Sequence, residues 1–237
     1  MNKRILVVSG HVGDFVWRSG GTIASYAKMG CEVHLLVFTL GIRGESNGYW
    51  KSEGANYEEA RVLRRKEGEE AAKILGIKTV EIHDFVDYPL ELDRARIEMI
   101  VKKIREHKID IVITHDHKTD LFNADHTLIG NTINMACAMA SSSSLALDNL
   151  EPIPRPSVYG FEPHNPEFCD FSPDVFVDIT EVIDIKKQAM RLYAKTQKNM
   201  IEPYITKSKI RAFQSQKARC EYAEAFSIIY SANNFYL

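Results

Sequence analysis

The chain has 237 residues, 45% of them hydrophobic and 26% charged, the balance of a globular protein able to bury a sizeable core without staples. Its 30 Lys and Arg against 32 Asp and Glu leave a formal charge of −2, which excludes a general nucleic-acid binder and a polybasic membrane binder. The four cysteines are scattered with no CxxC pair, so a disulfide framework and a thiolate zinc site are excluded, and a reducing cytoplasm is the expected location.

The start, MNKRILVVSG, has an apolar stretch too short for a signal peptide and no small-residue cleavage site. Residues 3–9 read as a buried strand. Gly20 and Gly21 precede a helical pattern that ends at Gly30. CEVHLLVFTL is a second strand, residues 56–75 a helix stopped by Gly76, and KTVEIHDF a third strand. Residues 92–107 repeat apolar positions at helical spacing. IDIVITH is a fourth strand, followed by the helix DHTLIGNTINMACAMA. No apolar run is long enough to span a bilayer.

Repeated strand–helix units imply a mostly parallel sheet covered on both faces, with sites at the carboxyl ends of its strands. The loops at 10–19, 40–55 and 115–126 follow strands one, two and four and are therefore the first candidates. The second half is less regular. SSSS at 141–144 reads as a helix end or loop, and EPIPRP at 151–156 breaks the pattern. SVYGFEP and DVFVDIT read as strands, and residues 181–199 as a helix. No repeat or long linker interrupts the chain, so a single domain over residues 1–237 is expected.

His11 and Asp14 lie just past strand one, and His126 opens the helix after strand four. Two imidazoles and a carboxylate are a usual ligand set for a catalytic zinc, leaving a fourth position for water. The same residues also fit plain loop positions with local hydrogen bonds. His115 and His117 flank Asp116, but adjacent residues of an extended chain point to opposite faces, so supporting or loop roles are expected for them. The basic run RVLRRKE at 61–67 reads as a solvated helix face from which one arginine could approach the site.

SGHVGDFVWRSGGTIASYAKMG resembles the opening motif of the PIG-L/LmbE-like metalloenzymes, usually AHPDDE followed by a glycine pair and a helix. The resemblance continues through RRKEGEEAAKILGI, IDIVITH with NADH at 123–126, DVFVDITEVIDIKKQAM and YAEAF. It implies a Rossmann-like α/β three-layer sandwich with a mostly parallel sheet. It also implies a zinc ion, or another divalent metal, held by His11, Asp14 and His126, and assembly as a trimer or hexamer.

The departures from the pattern are informative. The family's deacetylases carry an aspartate general base where this chain has Gly13, and a carbonyl-polarising histidine where it has Asn123. Glycine accepts no proton, and asparagine donates hydrogen bonds without acting as an acid near neutral pH. GDFVWRSGG together with FEPHNPE is similar to the 4-oxalomesaconate hydratase subgroup, which adds water to a conjugated carbon–carbon double bond.

The expected activity is therefore zinc-dependent hydration of a small unsaturated oxo-carboxylic acid. The alternative is an N-deacetylase acting on an N-acetylglucosamine-type substrate. A dinucleotide-binding module lacks the required GxGxxG. Glu45 and His164 are the candidate proton-moving residues. Arg18, Arg43 and Asn123 are candidates for substrate binding, since arginine forks match carboxylates. Asp125 is a candidate to orient a ligand histidine, or a first-turn acid favoured by the helix dipole. Glu162 is a candidate to orient His164, or a buried hydrogen-bond partner. No nucleic-acid or membrane partner is expected.

Overall fold

The computed structural model describes residues 3–118 and 120–231. Its centre is a seven-stranded sheet of β1 (Arg4–His11), β2 (Glu32–Thr39), β3 (Thr79–Ile82), β4 (Ile111–His115), β5 (Ser157–Phe161), β6 (Val175–Asp178) and β7 (Ala223–Tyr230), in the order β3-β2-β1-β4-β5-β7-β6. The first five strands pair in parallel, and β7 runs antiparallel to β5 and β6. The helices are α1 (Asp14–Lys28), α2 (Asn47–Trp50), α3 (Tyr57–Ile74), α4 (Arg94–Glu106), α5 (Ala124–Ala140), α6 (Ile183–Arg191) and α7 (Ile201–Ser215).

The strands are hydrophobic on both faces because each face meets helices. Ile5, Val7, Val33, Leu35 and Val37 pack against α1, α3 and α6. Their neighbours Leu6, Val8, Leu36 and Phe38 pack on the opposite layer, against α4 and α5. This is the α/β sandwich expected. Strand order reverses direction between β1 and β4, so their carboxyl ends, His11 and His115, flank the crevice where such sheets place their sites.

Helix boundaries follow local chemistry. Asn56 caps α3 by accepting from the Glu59 N–H at 2.9 Å, and Asp93 caps α4 through the Arg96 N–H at 2.9 Å. No helix among the described residues is long and apolar enough to cross a membrane.

Three parts of the sequence reading need correction. First, α1 starts at Asp14, with Gly20 and Gly21 inside it rather than before it. A Cβ on Gly21 would stand 2.6 Å from Ile179 Cδ1, so this glycine permits close approach rather than stopping the helix. Second, the helix expected over 181–199 ends at Arg191 and gives way to single 3-10 turns. The Tyr193 hydroxyl donates to the Val12 carbonyl at 2.7 Å and turns the chain back toward the crevice. Third, α2, α7 and β7 were not anticipated. α7 carries Pro203 in its first turn and ends at Gln216 in the left-handed region (φ 53°), without the glycine that marks a helix end.

Candidate metal centre

β1 delivers His11 to the crevice, and the chain turns at Gly13 into α1. The His11 N–H donates to Asp14 Oδ2 at 2.8 Å, folding the first carboxylate of α1 back over the strand end. On the other side, the Asn123 side chain caps α5 by accepting from the Asp125 N–H at 3.1 Å, which sets His126 in the first turn. His11 Nδ1 thereby lies 3.1 Å from His126 Nε2 and 3.3 Å from Asp14 Oδ2, while Asp14 Oδ1 lies 3.5 Å from His126 Nε2. Glu45, from the loop after β2, brings Oε1 to 3.9 Å from both imidazole nitrogens. One ligand atom from each of these four residues lies within 4.8 Å of the others, in a buried setting.

The donor set fits a cation. His11 Nε2 lies 3.3 Å from Asp125 Oδ2, and His126 Nδ1 lies 2.8 Å from Asp120 Oδ2. Each outer nitrogen therefore donates to a carboxylate, the arrangement that orients metal-ligating histidines. The inner nitrogens are left with lone pairs facing each other, and only a cation or a proton between them satisfies both. Buried Asp14 Oδ1 has no hydrogen-bond partner.

Electrostatics agree with this reading. Burial opposes a charge on His11, yet its bonds to Asp125 and Asp14 outweigh burial and raise its pKa to about 10. Burial also opposes the Asp14 charge, but His126, His115 and His11 together hold this carboxyl well below its usual range.

Asp125 thus serves His11 rather than its neighbour His126. It is fixed in place by the Tyr88 and Leu90 N–H groups at 2.9 and 2.8 Å. The partner of His126 is Asp120, which sequence reasoning missed. His115 supports the centre from beneath, stacked on His126 with 4.1 Å between ring centroids. Its Nε2 accepts from the Gly10 N–H at 2.9 Å and is therefore not free to ligate. Burial, followed by the nearby His126, pushes the pKa of His115 well down. His117 is exposed and pairs with Asp116 at 2.9 Å, away from the centre.

The remaining candidates divide between the cavity wall and the interior. A cavity of about 780 Å³ opens beside the centre, lined by Arg43, Glu45, Asn123, His164 and Gln197 among others, with Lys51, Lys195 and Lys198 also on its wall. Asn123 Nδ2 donates to Glu45 Oε1 at 3.3 Å, and Gln197 Nε2 donates to Glu45 Oε2 at 2.7 Å. Burial and Asp14 oppose the Glu45 charge, but His11, His164 and His126 prevail and lower its pKa.

His164 meets the Tyr204 hydroxyl through Nδ1 at 2.5 Å. Burial, reinforced by Arg18, pulls the pKa of His164 down to about 3, so its imidazole is neutral at pH 7. Burial keeps Tyr204 a phenol. Its hydroxyl has no other acceptor among the described residues, so it donates to His164 Nδ1 and leaves the ring proton on Nε2.

Glu162 does not orient His164. Its carboxylate takes a two-pronged bond from Arg211, at 2.9 and 2.6 Å, and lies 3.4 Å from Lys207. Arg18 is only 3% exposed and stands behind the centre, with Nε 3.4 Å from Asp14 Oδ1 and Nη2 3.2 Å from His126 Nδ1. It does not line the large cavity.

In the basic run, Arg61 takes the solvated role, bonded to Glu58 and Asp84, while Arg64 is fully buried and reaches Gln197. Gln197 and Tyr204 were missed along with Asp120. Asp120 lies six residues before a candidate ligand, a usable signal, whereas nothing local marks the other two.

Residues 6–137 match the profile of the PIG-L family, described as GlcNAc-PI de-N-acetylase. The chain is 35% identical over 215 residues to a 4-oxalmesaconate hydratase of Pseudomonas putida, covering 91% of this chain and 82% of the relative. The crystal structure of the 4-carboxy-2-hydroxymuconate hydratase GalB from Pseudomonas putida aligns with a TM-score of 0.90 at 34% identity, covering 97% of each chain. A diacetylchitobiose deacetylase of Thermococcus kodakarensis is 30% identical over 197 residues, covering 81% of this chain and 69% of the relative. With a profile match across more than half its length and relatives of this identity and coverage, the chain belongs to the PIG-L family.

Proposed function

We propose that the protein is a zinc-dependent hydratase that adds water across a carbon–carbon double bond of a small unsaturated oxo-carboxylic acid, such as 4-carboxy-2-hydroxymuconate. The observation that carries this reading is the exchange of carboxylates. Position 13 offers no base, and the partly buried Glu45 stands 3.9 Å from both inner imidazole nitrogens. The similarity to hydratases of Pseudomonas putida supports it.

In this reading His11, Asp14 and His126 hold the ion, and other divalent metals suit the same donors. When bound, zinc supplies Lewis acidity that lowers the pKa of water and polarises a carbonyl. Glu45, held ionised, takes a proton from the attacking water. His164 is neutral with its proton on Nε2, and presents a fixed donor to the enolate oxygen that develops as water adds. Arg43, with Lys51, Lys195 and Lys198, supplies cations along the cavity wall for the substrate carboxylates. Asn123 binds one Glu45 oxygen and faces the same cavity.

The test is direct. Zinc-loaded protein should consume 4-carboxy-2-hydroxymuconate, seen as loss of absorbance of the conjugated system, and His11→Ala should remove that activity. Acetate release from N-acetylglucosamine conjugates without any hydration would favour the deacetylase alternative instead.

A further inference from the structure

We propose that Gln197 is the positioning residue for the Glu45 carboxylate, and that position 13 is glycine because the Gln197 side chain fills the space a side chain there would need. This rests on the reading of Glu45 as the proton-moving group.

The orientation of the Gln197 amide is fixed by its neighbours. Its Oε1 accepts from the Trp17 indole N–H at 2.9 Å and from Arg64 Nη1 at 3.4 Å. Both groups are donors only, and both residues are fully buried. A flipped amide would set N–H against N–H. The NH₂ group must therefore face the crevice, where Nε2 donates to Glu45 Oε2 at 2.7 Å. Asn123 holds the other oxygen. The carboxylate is thus clamped by two neutral amides.

The same amide occupies the space above Gly13. A Cβ built there would lie 2.7 Å from Gln197 Oε1 and 3.0 Å from Trp17 Nε1. A side chain on residue 13 and the Gln197 amide cannot both occupy this volume. A carboxylate carried by residue 13 would displace the group that positions the carboxylate of Glu45 from the other wall.

The two loops are also fastened together. The Gly48 N–H donates to the Thr196 carbonyl at 3.0 Å, and a Cβ on Gly48 would come within 2.5 Å of that oxygen. Arg64 Nη1 donates to Thr196 Oγ1 at 3.1 Å, while Arg64 Nε donates to the Leu40 carbonyl at 2.9 Å. The loop carrying Glu45 and the turn carrying Gln197 therefore share one set of anchors.

The experiment compares Glu45→Gln, Gln197→Met, Gly13→Ala, Gln197→Ala and the double variant Gly13→Ala/Gln197→Ala. Hydration of 4-carboxy-2-hydroxymuconate, metal per chain and thermal melting are measured on each, and a crystal structure is determined for Gln197→Met. Methionine keeps the bulk of glutamine and loses its donor. The expected result is a kcat lower by roughly 10- to 100-fold, the order that misplacing a reacting group by about an ångström costs, with KM within about threefold and metal content unchanged. Glu45 should be displaced in the crystal structure.

Gly13→Ala should lower kcat in the native background and have no further effect once Gln197 is alanine, because the two changes compete for one volume. Wild-type kcat in Gln197→Met, alongside loss of turnover in Glu45→Gln, overturns the proposal. So does an equal effect of Gly13→Ala in both backgrounds. Full turnover in Glu45→Gln removes the reading of Glu45 instead. The crystal structure then decides the positioning claim alone: a displaced Glu45 carboxylate supports it and an unmoved one overturns it.

Discussion

His11 Nδ1 faces His126 Nε2 across 3.1 Å, with Asp14 closing the third side. Without a metal, His11 holds a proton up to a pKa of about 10. Ion binding at pH 7 must therefore expel that proton, and metal affinity must weaken as pH falls. Calorimetric titration of zinc into metal-free protein, in two buffers of different ionisation enthalpy, should show proton release. Asp14→Ala should bind no stoichiometric zinc.

Asp120 holds the outer nitrogen of His126 at 2.8 Å and fixes the ring. Asp120→Asn keeps the shape but loses the charge that, in the proposed centre, would make His126 a stronger ligand. Zinc affinity should fall by roughly 10- to 100-fold, the usual effect of losing such a partner. Competition with a chromogenic chelator measures this, and far-ultraviolet dichroism should stay unchanged.

His164 stays neutral because burial holds its pKa near 3. A folded pKa below the free value of 6.5 means that no proton is gained until well under neutral pH. His164 therefore contributes no titration between pH 5 and 8, and the shape of the rate–pH profile across that range should be the same in His164→Gln as in the native protein. His164→Ala should lower kcat by roughly 100- to 1,000-fold, as expected for removing one fixed donor at a developing oxyanion. Tyr204→Phe should act in the same direction, since it releases the ring proton from Nε2. Rate–pH profiles of the three variants check both claims.

Glu162 neutralises Arg211 and lies beside Lys207, with Glu162 4% and Arg211 8% exposed. Glu162→Ala leaves a buried guanidinium unpaired and should cost roughly 3–5 kcal/mol of stability. Urea unfolding should register this loss.

Much of the proposed ion-holding cluster was legible because its signals are local. HxxD at a strand end and NADH at a helix start place donors where an α/β sheet puts its sites. Asp125 was noticed, but successive helical residues point about 100° apart, so it reaches His11 instead of its neighbour. Helices α1, α3, α4 and α5 and the five parallel strands followed from periodicity, except that glycines at a close helix contact looked like a boundary. Gln197 was hidden because the helical pattern of 181–199 runs unbroken through a turn imposed by a distant bond, from Tyr193 to Val12. The Arg211 partner of Glu162 lay in a helix whose end carries no glycine.

The profile shared with the family spans residues 6–137. His11, Asp14, Glu45, Asp120 and His126 fall inside that stretch, whereas His164, Gln197 and Tyr204 fall beyond it. The residues proposed to grip the ion and to move the proton thus share one stretch of polypeptide, whereas groups that steady them, Gln197 against Glu45 and Tyr204 against His164, come from another. Substitutions in the last third of the chain can therefore re-aim the groups beside the proposed centre without touching the four side chains clustered there.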